Sequence, residues 1–211
     1  MPSSRLIRHH RLLLKLKNVM PTKTDLRATF LEKRLHLSPE AMATANNAIM
    51  AHCQALDYTG IRYLHLFLPI DDKKEVDTRP LAAWLREAHP EVNLVLSKTD
   101  MQSSQMLHYL WDEQTQFIQH RYGMTEPAGG MLVMPAAMDL VLVPLLAFDL
   151  QGHRVGYGKG MYDRFLQQCR PDVQIIGLSQ FEPVESIDDA AEWDIRLRKA
   201  ITPLAIYEFN S

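Results

Sequence analysis

Five predominantly apolar runs, separated by stretches with helical periodicity, constrain the fold of this chain more than any other feature. They are YLHLFLP at 63–69, VNLVLSK at 92–98, DLVLVPLLAF at 139–148, VQIIGLS at 173–179 and ITPLAIYEF at 201–209. Strands that are covered on both faces read as nearly continuous apolar runs, and this is typical of parallel sheets. The alternation therefore predicts one α/β domain, with helices on both faces of a parallel sheet.

The helical stretches begin with recognisable capping residues. Residues 22–37 begin with Thr22, and Asp25 can reach back to complete a capping box. Residues 38–56 begin with Ser-Pro, which places a cap before proline at the first helical position. Residues 77–89 begin with Asp-Thr, so either residue can cap a third helix.

Composition excludes several classes of function. Of 211 residues, 46% are apolar and 23% are charged, as in ordinary globular proteins. The net charge of −2 creates no global field toward nucleic acid or a membrane, so we expect neither as a partner. Cys53 and Cys169 lack CxxC spacing, which argues against a zinc site or disulfide framework and for a reduced, cytoplasmic compartment. No apolar run approaches the roughly 20 residues of a membrane-spanning helix.

Residues 1–20 form a basic leader that contains lysine and arginine but no acid. We expect a flexible extension ahead of a single domain at residues 21–211. An organelle transit peptide has a similar composition, and Met20 could instead be the true start. A secretory signal is excluded because it needs a longer apolar centre and a small-residue cleavage site.

The segment GHRVGYGKGMYDRF, at 152–165, has the composition of a phosphate cradle. It matches neither common motif. G-x-x-x-x-G-K-S/T would need glycine at His153 and a hydroxyl after Lys159, whereas G-x-G-x-x-G would need glycine at Met161. Glycines nonetheless let backbone N–H groups approach an anion closely, and Lys159 adds a full positive charge at the centre of the loop.

We expect positive φ at Gly156, Gly158 and Gly160, and a helix from about Gly160 whose dipole adds positive potential. The alternative is a tight surface turn with a solvated lysine. The strand before the loop and the helix after it favour phosphate binding. Asp163 could then hold a Mg²⁺ that bridges phosphate oxygens, or serve only as a dipole partner. Arg154 could bind phosphate or pair with an exposed acid.

The longer segment VPLLAFDLQGHRVGYGKGMYDRFL, at 143–166, closely resembles the signature of 5-formyltetrahydrofolate cyclo-ligases, also called 5,10-methenyltetrahydrofolate synthetases. That signature reads V-P-x-x-A-F-D-x-x-G-x-R-L-G-x-G-x-G-Y-Y-D-R, and only Val155 and Met161 differ from it, both conservatively. Other landmarks of the family follow in order between Lys23 and Thr202. They are KTDLR at 23–27, EVDT at 75–78, YGMTEP at 122–127 and EWDIRLRKAITP at 192–203.

The resemblance implies a single three-layer α/β/α sandwich with a mostly parallel central sheet, and an ATP-dependent ring closure. The formyl oxygen of 5-formyltetrahydrofolate is activated by phosphoryl transfer, nitrogen-10 attacks the formyl carbon, and phosphate leaves. The products are 5,10-methenyltetrahydrofolate, ADP and phosphate, with Mg²⁺ as the expected metal. Such chemistry needs mainly positioning and charge neutralisation. No covalent nucleophile is required, so we expect both cysteines to be inert.

The resemblance also implies roles for single residues. Lys159 and Arg154 are the expected catalytic residues, and Asp163 and Asp194 are the expected Mg²⁺ ligands. The expected ATP-binding residues are Lys23, Arg27, Arg154, Gly156, Tyr157, Gly158, Lys159, Gly160, Tyr162 and Asp163.

On the folate side, the resemblance assigns Glu75 to the amino-pyrimidinone edge, because a carboxylate matches such an edge by two-point hydrogen bonding. Alone, Glu75 would read as a solvated loop charge. Tyr122 is expected to stack on the folate rings, although it could be a core or turn aromatic. Tyr162 would line the formyl pocket or anchor its helix, and Ile70 would form an apolar wall. We expect a monomer or weak homodimer that acts on a small-molecule folate, with or without a polyglutamate tail.

The late part of the chain departs from the family's pattern. A glutamine frequent in the family falls at or near Pro183, a histidine becomes Trp193, and a second late acid gives way to RLRK at 196–199. These changes bear on the magnesium role of Asp194. Two alternatives therefore stand beside the enzyme. One is a degenerate member that binds nucleotide or folate without turnover, and the other is a regulatory sugar-phosphate-binding module, which leaves the basic pair in KTDLR unused.

Overall fold

The computed structural model describes residues 20–100, 103, 105–119 and 123–209. The predicted leader lies almost wholly outside the described residues. The helices are α1 (Lys23–Leu35), α2 (Pro39–Gln54), α3 (Arg79–Ala88) and α4 (Met161–Leu166), with 3-10 turns at Asp71–Lys73 and Pro135–Ala137. The strands are β1 (Tyr63–His65), β2 (Asn93–Asp100), β3 (Gln105–Leu110), β4 (Phe117–Gln119), β5 (Thr125–Pro127), β6 (Leu140–Pro144), β7 (Ala147–Phe148), β8 (Arg154–Val155), β9 (Gln174–Leu178), β10 (Lys199–Ile201) and β11 (Ile206–Glu208).

A seven-stranded sheet forms the centre of the molecule, in the order β11-β10-β9-β6-β1-β2-β3. The five inner strands run parallel, and the two edge strands, β3 and β11, are antiparallel to their neighbours. Two small hairpins, β4–β5 and β7–β8, lie outside this sheet. The predicted mostly parallel sheet is therefore confirmed.

Alternate residues of the central strand β6 face opposite layers. Leu140 and Leu142 pack into one core with buried side chains of α2 and α3. Val141 and Val143 pack into a second core with the buried face of α4. Since side chains alternate across a strand, one apolar run supplies both cores. This confirms the three-layer sandwich.

Three of the apolar runs form shorter strands than predicted. The run at 139–148 folds as two strands, because β6 ends at Pro144 and the next residues turn away to form the β7–β8 hairpin. Pro144 has no N–H with which to continue a ladder. The run at 63–69 contributes only β1, and the run at 201–209 is divided by a turn at Pro203 into the antiparallel pair β10–β11.

Helix α1 packs on the β7–β8 hairpin. Its predicted capping box is present, since the Thr22 side chain accepts from the Asp25 N–H at 3.2 Å and the Asp25 carboxylate accepts from the Thr22 N–H at 3.3 Å. Phe30 lies in a small third core that includes Ala147 and Val155 of the hairpin. This packing carries the first turns of α1 to the glycine-rich loop that follows β8.

Candidate active site

The glycine loop, residues 156–160, joins β8 to α4. Gly158 (φ 82°) and Gly160 (φ 63°) have the predicted left-handed backbone, which glycine adopts without strain. The same prediction is wrong for Gly156, which is not among the residues with positive φ. Helix α4 has only six residues, so its dipole is short. The positive potential of this region therefore comes mainly from side chains.

Arg27 of α1 lies against the loop. Its Nε donates to the Gly156 carbonyl at 3.0 Å. A Cβ atom at Gly158 would lie 3.0 Å from the Arg27 guanidinium carbon, so a larger residue here would have to displace the Arg27 side chain. The structure thus brings a basic residue of the predicted N-terminal pair to the predicted cradle, across 129 positions of sequence.

Two short ion pairs lie beside the loop. Lys23 Nζ is 2.5 Å from Asp194 Oδ2, and Arg154 Nη2 is 2.6 Å from Asp163 Oδ1. Burial alone would raise the pKa of Asp194, but hydrogen bonds from Lys23 and from the Ala191 N–H hold it below its ordinary value. Each pair joins a cation assigned to ATP with an acid assigned to Mg²⁺.

The two predicted metal ligands surround one guanidinium. Burial lowers the pKa of Arg154, and the carboxylates of Asp163 and Asp194 both oppose that shift. The side chains of these acids are 40% and 18% exposed. Two accessible carboxylates fit Mg²⁺, which takes one or two protein carboxylates and completes its shell with phosphate and water. In the described ranges, no group of three or more His, Cys, Asp or Glu residues forms an all-protein metal site.

Glu75 is buried rather than solvated, with 4% of its surface exposed. Its Oε2 accepts from the Ile70 N–H at 2.8 Å, and its Oε1 accepts from the Tyr157 hydroxyl at 2.8 Å. Burial raises the pKa of Glu75, while these two hydrogen bonds and the charge of Arg34 oppose the shift. A buried carboxylate held by two donors is a built feature, which argues against a solvated loop charge.

Tyr162 of α4 lies within electrostatic reach of both Glu75 and Arg154. Burial raises the pKa of its hydroxyl, Glu75 adds to the shift and Arg154 opposes it. Its ring is 6.1 Å from the ring of the buried His65.

Lys159 is exposed, and its carbonyl accepts from Arg164 Nη2 at 2.8 Å.

Ile70 lies at the entrance to the Glu75 loop. A Cβ atom added to Gly123 would be 3.8 Å from Ile70 Cγ2 and 3.4 Å from Asp72 Oδ2, so the segment that begins at Gly123 approaches this loop. Tyr122, the predicted stacking residue, lies outside the described residues.

Arg34 and Asp149 are two of the buried polar residues for which the sequence predicted no role. Arg34 is 3% exposed and donates from Nη2 to the Tyr157 hydroxyl. Asp149 is fully buried at the turn of the β7–β8 hairpin. Asp149 lies within the family's signature segment, which could have marked it as important. The contact of Arg34 with Tyr157 depends on packing between distant parts of the chain, and no sequence pattern indicates it.

A sequence model of the 5-formyltetrahydrofolate cyclo-ligase family matches residues 19–203. The chain belongs to this family. The 5-formyltetrahydrofolate cyclo-ligase of Escherichia coli K12 is 31% identical over 172 residues, which cover 80% of this chain and 87% of that protein. The cyclo-ligase of Haemophilus influenzae is 28% identical over 181 residues, covering 83% and 94%.

Solved structures agree with this cyclo-ligase assignment. The 5,10-methenyltetrahydrofolate synthetase of Aquifex aeolicus superposes with a TM-score of 0.69 at 27% identity, over 90% of this chain and 93% of that one. The synthetase of Mycoplasma pneumoniae has a TM-score of 0.68 at 23% identity, over 86% and 98%, and supports the fold.

The cysteines of this cyclo-ligase are both free. Burial raises the pKa of the Cys53 thiol to about 12 and that of Cys169 to about 11, so neither is a ready nucleophile. In the part of the chain that the structure describes, no helix is long and apolar enough to cross a bilayer.

Proposed function

We propose that this site converts 5-formyltetrahydrofolate and ATP to 5,10-methenyltetrahydrofolate, ADP and phosphate. Family membership supplies the reaction. The observation that carries the assignment to these residues is the convergence of Lys23 and Arg27 of α1 with the glycine loop and the ion pairs of Asp163 and Asp194. A generic surface turn would not gather these groups from opposite ends of the chain.

The phosphate side of the site neutralises and positions ATP. The Lys23 and Arg27 side chains bind triphosphate oxygens, and Lys159, exposed at the centre of the loop, reaches the phosphoryl group that is transferred. Arg154, held by Asp163 and by the Ile195 carbonyl, is oriented to meet charge that develops during transfer. Asp163 and Asp194 would hold Mg²⁺, which when bound neutralises phosphate charge.

The folate side places the formyl group toward that phosphate. Glu75 accepts the neighbouring N–H donors of the amino-pyrimidinone edge, Ile70 forms an apolar wall, and Tyr122 stacks on the rings. Glu75 and Arg154 both affect the pKa of Tyr162, so this side chain belongs where the ATP and folate parts of the site meet. Phosphoryl transfer to the formyl oxygen makes a good leaving group, nitrogen-10 closes the ring, and phosphate carries the oxygen away.

The direct test mixes the purified protein with Mg·ATP and 5-formyltetrahydrofolate and follows the near-ultraviolet absorbance of the methenyl product. The reaction should need both substrates and release ADP and phosphate in equal amounts. Folate binding without an absorbance gain would instead support the degenerate family member. Binding of sugar phosphates but not folate would support the regulatory module.

We also propose that the protein acts in the cytoplasm, where its two free thiols stay reduced, and as a monomer or weak homodimer. Sedimentation over a range of concentrations tests the oligomeric state.

A further inference from the structure

Helix α1 presents a third basic residue toward the glycine loop. Arg27 and Arg34 are seven positions apart, so they lie on the same face of the helix. Arg27 meets the Gly156 carbonyl, whereas Arg34 reaches the side chain of the next residue, Tyr157. Its guanidinium carbon is 5.7 Å from the centre of the Tyr157 ring.

A directed chain of hydrogen bonds runs from Arg34 to Glu75. A guanidinium can only donate and a carboxylate can only accept, so the Tyr157 hydroxyl must accept from Arg34 and donate to Glu75 Oε1, at 2.8 Å. The second oxygen, Oε2, accepts from the Ile70 N–H at 2.8 Å. Both carboxylate oxygens therefore have fixed donors, which sets the orientation of Glu75.

Arg34 is buried without a full set of hydrogen-bond partners among the described residues. It is 3% exposed, and among the described residues its Nε is buried with no hydrogen-bond partner. Its other donors reach the Tyr157 hydroxyl and, at a long 3.4 Å, the Leu145 carbonyl. A buried cation with incomplete hydrogen bonding contributes little to stability. The burial of Arg34 therefore needs an explanation other than stability.

The charges around Glu75 indicate what the buried Arg34 guanidinium does. Arg34 favours the ionised carboxylate, while Asp71 and burial oppose it. Tyr157 and Tyr162 are the titratable groups that face Glu75 from the glycine loop and from α4, and burial raises the pKa of both phenols, so they stay neutral. The adjacent Lys74 turns away, because its ammonium donates to the Leu35 and Leu37 carbonyls at the end of α1.

We propose that Arg34 is a positioning residue that acts through the Tyr157 hydroxyl to hold Glu75 oriented and charged for the folate substrate. Tyr157 then belongs to the folate side through its side chain, although its backbone lies in the phosphate loop. This inference rests on the proposed function. It predicts that loss of Arg34 weakens folate binding but not ATP binding. It also predicts that, as the pH is lowered, the variant loses folate affinity at a higher pH than the wild type does.

The test measures the affinity of the full-length protein for 5-formyltetrahydrofolate and, separately, for ATP across a range of pH. Wild-type folate affinity should fall as the pH drops through the pKa of Glu75. In Arg34→Met, folate affinity near neutral pH should fall about tenfold and the midpoint should move up by about one pH unit. ATP affinity should stay within about twofold of wild type. Arg34→Lys keeps a charged donor and should restore most of the folate affinity.

Tyr157→Phe tests the same chain of hydrogen bonds without removing a buried charge. It tests the inference by itself if Arg34→Met does not fold. It should lose about tenfold in folate affinity. Tyr207→Phe is the matched control, because the Tyr207 hydroxyl also donates to a carboxylate, that of Glu182, but on the outer strand β11. Its folate affinity should be unchanged.

Three results would overturn the inference. One is an unchanged pH midpoint in Arg34→Met, another is an equal loss of ATP and folate affinity, and the third is wild-type folate affinity in Tyr157→Phe. Failure of the wild-type protein to bind 5-formyltetrahydrofolate would refute the proposed function itself and this inference with it.

Discussion

Asp149 fastens the hairpin that carries the glycine loop, and its replacement by alanine tests how that loop is positioned. Its Oδ1 accepts the N–H groups of Gln151, at 3.0 Å, and His153, at 2.9 Å. Its Oδ2 accepts the N–H of Ile187, at 3.2 Å, and lies 2.9 Å from His153 Nδ1. One carboxylate therefore joins the β7–β8 turn to a segment some forty positions later in the chain.

The contacts set the size of the expected effect. Asp149→Ala leaves the buried Ile187 N–H without an acceptor, and a buried unsatisfied donor costs about 1–3 kcal/mol. The N–H groups of Gln151 and His153 are only partly buried, so water can replace the lost acceptor and each adds less. We expect the free energy of unfolding to fall by about 3–4 kcal/mol, a large share of the roughly 5–15 kcal/mol typical of a domain.

Urea unfolding of wild type, Asp149→Ala and Asp149→Asn measures this effect. Asparagine keeps one acceptor oxygen, so the free energy of unfolding should fall only about half as much in Asp149→Asn as in Asp149→Ala. ATP affinity should also fall in Asp149→Ala under conditions where the variant is folded, because the loop loses its anchor. A loss of less than about 1 kcal/mol, or equal losses in both variants, would refute the assignment of Asp149 as the anchor of the hairpin.

Three further predictions concern the cradle, the sheet and the second core. Lys159→Ala should lower kcat for ring closure by weakening phosphate positioning, and unchanged kcat and KM for ATP would contradict the cradle. Gly177→Ala should lower the urea midpoint strongly, because the added Cβ would lie 2.4 Å from Leu145 Cδ2, and wild-type stability would contradict that packing. Burial lowers the pKa of His108 to about 4, so the unfolded chain binds more protons below about pH 6.5. The free energy of unfolding should therefore fall as the pH drops from about 6.5 to about 4, and should fall less in His108→Phe.

The layers of the fold could be predicted from sequence because apolar runs record burial directly. The ends of the strands could not, since a run such as 139–148 has the same composition whether it stays in the sheet or leaves it. The register of β6 against β9 ends at Pro144, and among the apolar residues that follow, Leu146 and Ala147 pack into the third core beside α1. Composition detects that a residue is buried, but not which layer buries it.

The candidate site could be located from sequence where its chemical groups are concentrated in one segment. The glycine loop could be read as a phosphate cradle from its own residues, and the resemblance then added Lys23, Arg27 and Glu75. Arg34 was not predictable, because its partner Tyr157 lies 123 positions away and a basic residue near a helix end has an ordinary role there. Contacts between distant, individually unremarkable residues need the structure.

The paired charges beside the loop bear on how a chain with net charge −2 would bind the polyanion that we propose as its substrate. Lys23 and Arg154 each hold one carboxylate, which offsets part of the positive charge that the basic side chains bring to the site. On the proposed function, phosphate oxygens would replace these carboxylates as partners of Lys23 and Arg154, and Asp163 and Asp194 would then be available to hold Mg²⁺. Such an exchange would keep each of these four charges partnered, which matters most for Arg154, because its side chain is buried and an isolated buried charge is costly. Local pairing would thus serve a chain that has no net positive charge to attract the polyanion.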